Sequence, residues 1–196
     1  MTPVQLTAYT ATTCLGQGLA ATRAALLEDR SALAPCTFET VKLDTWIGEV
    51  AGVDDHVLPP HVAAYDCRNN RLALMGLEAD GFADRVREAA ARYGKARVGV
   101  FLGTSTSGIL QTELAFRHRD AATGALPEDF HYRTTHNAFS VAEFTRDYFG
   151  LEGMAMAIST ACSSSAKVFA AAQRQLALGT IDAAVVGGVD TLCLTT

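Results

Sequence analysis

Charged side chains are scarce in this sequence. Asp, Glu, Lys and Arg make up 19% of the 196 residues, against about 25% in a typical soluble domain. Hydrophobic residues make up 49%. So little solvating surface implies that much of the chain is buried, either internally or against another surface. Basic clusters are also missing. The net charge is −5, and nucleic-acid binding that depends on neutralising phosphates has nothing to work with. The basic residues between 85 and 97 alternate with Asp84 and Glu88 and read as a solvated helix face. No window approaches the roughly 20 apolar residues of a membrane span. Residues 1–10 lack the basic and apolar regions of a secretory leader. The five cysteines (14, 36, 67, 162 and 193) are scattered and show no C-x-x-C spacing. Neither a disulfide framework nor a zinc site follows, and a reducing cytoplasm fits. Internal repeats and low-complexity segments are absent.

What is present alternates. Residues 5–10 carry a modest strand pattern, and residues 19–29 read as a helix with Leu19, Leu26 and Leu27 on one side. Residues 35–60 are broken by Gly48, Gly52, Pro59 and Pro60. Residues 72–79 and 82–93 are helical, the second stopped by Gly94. Residues 97–102 form a compact apolar strand that runs into Gly103-Thr104-Ser105-Thr106-Ser107-Gly108, with a helix from Ile109. A long loop around Pro127 precedes a helix over 139–149, closed by Gly150. Residues 154–159 and 182–189 are short apolar strands, and between them residues 163–178 form an alanine-rich helix ended by Gly179. Strands alternating with helices predict a layered α/β fold with a mainly parallel sheet. The chain stops at Thr196 directly after an apolar strand, which is an odd place for a domain to end. These 196 residues are therefore expected to be a fragment that folds stably only with its missing part or as an oligomer.

The most informative stretch is Ile158-Ser159-Thr160-Ala161-Cys162-Ser163-Ser164-Ser165-Ala166. A strand gives way within four residues to small side chains and then to a helix, so Cys162 falls at or just before the helix's first turn. Unpaired N–H groups and the positive end of the helix dipole favour an anionic sulfur there. The small neighbours leave room for a substrate carbonyl, and backbone N–H groups can face a developing oxyanion. The turn has the mechanics of a nucleophile elbow. Most free cysteines are nonetheless small buried hydrophobes, and a single nucleophile with no visible base leaves that reading open.

The segment Thr160-Ala161-Cys162-Ser163-Ser164-Ser165 resembles the active-site motif of β-ketoacyl synthases of the type I/II class, the thiolase-fold condensing enzymes. Three further blocks are similar to the family in the same order. These are Val98-Gly99-Val100-Phe101-Leu102-Gly103 with Gly108, then Leu151-Glu152-Gly153, then Gly179 through Asp182 to Gly187-Gly188 with Val189-Asp190. The opening departs from the family pattern. Ala8-Tyr9-Thr10 stands where a Gly-x-Gly turn is usual, and Cys14-Leu15-Gly16 where Pro-x-Gly is usual.

The resemblance implies the N-terminal half of a five-layered α-β-α-β-α thiolase fold, spanning residues 1–196, usually dimeric. It implies that Cys162 takes an acyl group from an acyl carrier protein. Malonyl-carrier protein would then lose CO2 and condense with the acyl-cysteine, in fatty acid, polyketide or polyene synthesis. The partners implied are the carrier protein, the C-terminal half of the same enzyme with its two histidines, lysine and phenylalanine gate, and a second ketosynthase-like chain in a homodimer or heterodimer. No cofactor or metal is implied. Thr106 aligns with a pocket-lining position and Ala161 adjoins the nucleophile. Phe139, with His136 close by, falls where the family nears the dimer-side acyl pocket. A hydroxyl bonded within its own loop is the plainer role for Thr106. The Gly103–Gly108 loop lacks the Gly-Lys-Ser/Thr ending of a nucleotide-binding loop. Two rivals remain. Other thiolase-fold acyltransferases have different residues around the cysteine, and non-catalytic ketosynthase-like subunits generally lack it.

Overall fold

A computed structural model describes residues 3–195. Two small antiparallel pairs come first, β1 (Thr12–Thr13) with β2 (Gly16–Gln17) and β3 (Ala34–Pro35) with β4 (Trp46–Ile47). Helix α1 (Gly18–Leu27) lies between the pairs. Then come α2 (Arg68–Glu78), α3 (Phe82–Tyr93), β5 (Val98–Gly103), α4 (Ile109–Arg117) and α5 (Ser140–Tyr148). The last elements are β6 (Ala155–Ile158), α6 (Ser164–Ala177) and β7 (Ala183–Gly188).

The centre is a parallel three-stranded sheet in the order β6-β5-β7. Gly103 at the end of β5 pairs with Ile158 on one side and Gly188 on the other. Every residue of β5 is buried. Alternation along that strand divides the core. Val98, Val100 and Leu102 join Leu74, Leu77, Val86, Val141 and Phe144 of α2, α3 and α5 on one face. Phe101 joins Val168 and Ala172 of α6 on the other. The result is an α/β/α layering whose strands are covered on both faces, which is why they read as continuous apolar runs. Arg97 fastens the lower ends of β5 and β7 by donating from Nε and Nη2 to the two Asp182 oxygens, at 2.8 and 2.9 Å.

Two expectations fail. Residues 5–10 form no strand. Alternation supplies faces, but a strand also needs a ladder partner. The neighbouring edge of β7 is held off by two cavities of about 470 and 640 Å³, lined by residues 3–13 on one side and by Ala183–Val186 and Phe169 on the other. Val4, Leu6 and Tyr9 are exposed in consequence. Helix α1 also reverses its expected face: it buries Gly18 and Ala25 and leaves Leu26 and Leu27 exposed. Close approach through small residues decided that packing, and side-chain size did not. The long loop around Pro127 contains a π-helical turn at Tyr132–His136.

Candidate active site

The parallel strands all end on one side, and β6 delivers Cys162 there. After Ile158 the backbone passes through a short 3₁₀ turn, Ala161–Ser163, directly into α6. Cys162 therefore sits just ahead of the helix and is exposed. It is neither mid-helix nor sealed in the core.

The serines after it explain how such a turn holds its shape. Ser164 is buried. Its hydroxyl donates to the Ala161 carbonyl at 2.7 Å and accepts the Thr160 N–H at 2.9 Å. Ser163 Oγ donates to the Thr160 carbonyl at 3.1 Å. The Thr160 N–H, which the turn itself leaves without a backbone partner, is thereby paired, and the Thr160 and Ala161 carbonyls gain a second donor beside the Ser163 and Ser164 N–H groups. Ala161 has φ +52°, in the left-handed region, although it is not glycine. That conformation costs a side-chain-bearing residue roughly 1–2 kcal/mol. Such strain persists only where the surroundings enforce it, and it concentrates at functional sites.

Two glycines let the helix come down onto the sheet. A Cβ on Gly103 would lie 2.5 Å from Ser164 C and Ser165 N, and a Cβ on Gly188 would lie 1.8 Å from Ser165 Oγ. Paired across the ladder, the two glycines form a flat seat at the strand ends for the first turn of α6. The 14-residue helix then directs the positive end of its dipole at the segment carrying Cys162.

The other candidate residues are spread around this point. Ala161 is beside the sulfur. Thr106 is buried, but its hydroxyl is not bonded within its own loop. It donates to Asp190 Oδ1 at 3.0 Å and accepts the Thr191 N–H at 3.1 Å. Thr106 faces a cavity of about 370 Å³ that it shares with Glu49, Arg68 and Asp190. Phe139 is 52% exposed at the start of α5. The His136 ring lies 5.2 Å from the Tyr132 ring and keeps a buried, unpartnered Nδ1. Cys162 lines none of these three cavities.

Over residues 1–195 the chain matches the family described as beta-ketoacyl synthase, N-terminal domain. It belongs to that family. A comparison with curated proteins finds no match. Among solved structures, the chain is similar to a chain of the complex of a ketosynthase (ApeO) with its chain length factor (ApeC) from Xenorhabdus doucetiae. Identity is 27% and the TM-score 0.72, over 94% of this chain and 46% of that one. The ketosynthase from module 6 of the bacillaene synthase of Bacillus subtilis has the same fold, with a TM-score of 0.65 at 21% identity over 93% of this chain and 30% of that one. The chain thus spans about half the length of the chain it matches in that complex, and its architecture is the first half of the ketosynthase thiolase-like fold. Among the described residues, no helix is long and apolar enough to cross a membrane.

Sequence reasoning named Asp190 only as the close of a family-like block and gave it no role. Its Oδ1 accepts bonds from Thr104 Oγ1, Ser105 N, Thr106 N and Thr106 Oγ1 at 2.6–3.0 Å. A signal was present. The Thr-Ser-Thr loop leaves β5 full of donors, and an Asp leaves the paired strand β7 at nearly the same level. Only knowledge of the β5–β7 register connects the two.

Proposed function

We propose that this chain is the nucleophile-bearing half of a catalytically active β-ketoacyl synthase that builds carbon–carbon bonds on carrier-protein thioesters. One observation carries this reading: an exposed Cys162 on a strained, serine-locked turn between a buried parallel sheet and a helix N-terminus. The Cys162 sulfur attacks the acyl thioester carbon, the oxyanion is met by backbone N–H groups that include its own, and the carrier thiol leaves. A malonyl thioester then loses CO2, and its enolate carbon attacks the acyl-cysteine. The new carbon–carbon bond forms as the sulfur is released. Groups that stabilise the enolate belong to the other half of the enzyme in this reading. That half also closes the substrate channel and covers the open side of β7, where the two cavities and the exposed Val4, Leu6 and Tyr9 lie.

A second reading rests on the resemblance to a ketosynthase solved with a chain length factor. The chain would then be part of a non-catalytic partner. The presence and exposure of Cys162 favour the catalytic reading. Incubating the full-length enzyme with acyl-carrier protein, followed by peptide mass mapping, tests the choice. The acyl group is expected on Cys162 alone, with CO2 released once malonyl-carrier protein is added. An enzyme competent to bind the carrier but never acylated at Cys162 would establish the partner reading.

A further inference from the structure

We infer that Asp190 and Ser105 are positioning residues for the acyl-transfer step, acting together through the Gly103–Gly108 loop on the peptide that carries the Cys162 N–H. The inference rests on the acyl-cysteine reading above.

Its starting point is the concentration of donors on one oxygen. Asp190 Oδ1 accepts two successive backbone N–H groups, from Ser105 at 2.6 Å and Thr106 at 2.9 Å, and two hydroxyls, from Thr104 and Thr106, both at 3.0 Å. Successive N–H groups converging on one point form an anion nest, and a carboxylate is the side-chain acceptor best able to hold them. The hydroxyls pass the order onward. Thr104 Oγ1 also accepts the Ser107 N–H at 2.9 Å, and Thr106 Oγ1 accepts the Thr191 N–H at 3.1 Å. The loop's shape is thereby set by one side chain at the end of the neighbouring strand.

From this clamped loop Ser105 reaches across to β6 and α6. Its Oγ donates to the Ala161 carbonyl at 3.1 Å, the same carbonyl that Ser164 Oγ holds at 2.7 Å. A trans peptide is a rigid plate whose C=O and N–H point in opposite directions. The Ser164 N–H also donates to the Ala161 oxygen. Three donors on that oxygen, two of them hydroxyls, therefore aim the Cys162 N–H away from them, and the left-handed φ of Ala161 shows that this plate is held against its local preference. The N–H so aimed is the donor that the acylation step uses for its oxyanion. Ser164 holds the plate from within the turn. Among the described residues, Ser105, anchored by Asp190, is the one whose side chain holds it from outside the turn.

The role separates two reactions of the same sulfur. Acyl transfer from a thioester develops an oxyanion and depends on where the Cys162 N–H points. Alkylation by iodoacetamide is a displacement at saturated carbon and develops no oxyanion. The experiment uses the full-length enzyme and measures both rates at Cys162 with hexanoyl-N-acetylcysteamine and iodoacetamide. Ser105→Ala is expected to slow acyl transfer about 10-fold and Asp190→Ala about 10- to 100-fold, in kcat with KM little changed. Alkylation should stay within about 2-fold of the parent, since it does not use the oxyanion donor. Ser105→Thr, which restores the hydroxyl, should recover most of the lost rate. If Asp190→Ala fails to fold, Ser105→Ala and its threonine partner decide alone. Acylation of Ser105→Ala at the parent rate, or acylation and alkylation falling together, would overturn the inference and leave the acyl-cysteine reading standing. A parent enzyme never acylated at Cys162 would defeat that reading and this inference with it.

Discussion

Replacing Gly103 by alanine puts the architecture of the site under direct test. The added Cβ would stand 2.5 Å from Ser164 C and Ser165 N, which are backbone atoms of the first turn of α6 with no rotamer to yield. Retreat from 2.5 Å to ordinary contact at 3.4 Å moves helix and strand end apart by about 0.9 Å. Forcing a methyl into a packed interior costs about 1–3 kcal/mol, a large part of the usual margin of a domain. Cys162 precedes this turn by two residues and moves with it. A misplacement of about 1 Å at a reacting group costs on the order of 100-fold in rate. The full-length Gly103→Ala enzyme should therefore unfold at lower denaturant and acylate Cys162 about 10- to 100-fold more slowly. Gly76→Ala is the control. A Cβ there meets only Thr12 Oγ1, at 3.9 Å, within α2, and alanine in a helix interior is favoured by about 0.5–1 kcal/mol. Urea unfolding and single-turnover acylation read both quantities. A Gly103→Ala enzyme as stable and as fast as the parent would refute the claim that this close approach seats the nucleophile.

The cysteines should differ sharply in reactivity. Burial pushes the Cys67 thiol up to about 11, so at pH 8 about one part in a thousand is thiolate. Iodoacetamide mapping should label exposed Cys162 first and buried Cys67 and Cys193 last; equal labelling of all five would contradict the assignment. At the far end of the sheet, the Arg97 guanidinium beside Asp182 holds that carboxyl below the ordinary range. A depressed acid stabilises the fold above its unfolded value of about 4, and that benefit is lost as pH falls through the lower folded value. Urea melts of Asp182→Asn should therefore show a deficit at pH 7 that closes toward pH 3. Arg68 is buried between Glu49 and Asp54 at 2.8 and 2.9 Å, with its guanidinium 5.0 Å from the Phe38 ring centroid. Arg68→Ala should cost about 2 kcal/mol and open residues 48–55 to limited proteolysis. The cost stays below that of breaking a fully buried pair, since both carboxylates face solvent and are not stranded.

What could be read from the chain followed from how local each cause is. Helix α3 was legible to the residue, since the glycines at 81 and 94 bound an amphipathic run. The strands β5, β6 and β7 were legible to within a residue at each end, since two-sided burial writes itself as an uninterrupted apolar stretch. Residues 5–10 misled because their alternation was local while the missing ladder partner was not. The leucines of α1 misled for a related reason: hydrophobicity proposes a buried face, but the contact was made through Gly18 and Ala25. Helix α2 begins four residues earlier than the pattern suggested. Arg68, Asn69 and Asn70 are polar yet buried, with Arg68 paired to Glu49 and Asp54, and Asn70 donating to Ser140 Oγ. The place of Cys162, just ahead of α6, was legible from the strand-to-helix turn. Asp190 was not, because its meaning depends on which strand lies next to which.

The same contrast bears on how such a site is assembled. Arg97 with Asp182 fastens β5 to β7 where the strands begin, and Asp190 fastens the loop after β5 to the end of β7. The two strands are clamped at both ends, and the glycine pair that seats α6 lies between the clamps. The sulfur itself belongs to the segment after β6, on the other side of β5. The glycine seat under α6 comes from β5 and β7, and the Ser105 bond to the Ala161 carbonyl comes from the loop after β5, so β6 supplies neither. The turn that carries Cys162 thus takes its geometry from strands other than the one that leads into it. Substitutions at the β5 and β7 ends should therefore lower the rate of acylation while leaving the affinity for the thioester little changed. Substitutions at the rim, Phe139 among them, should do the reverse.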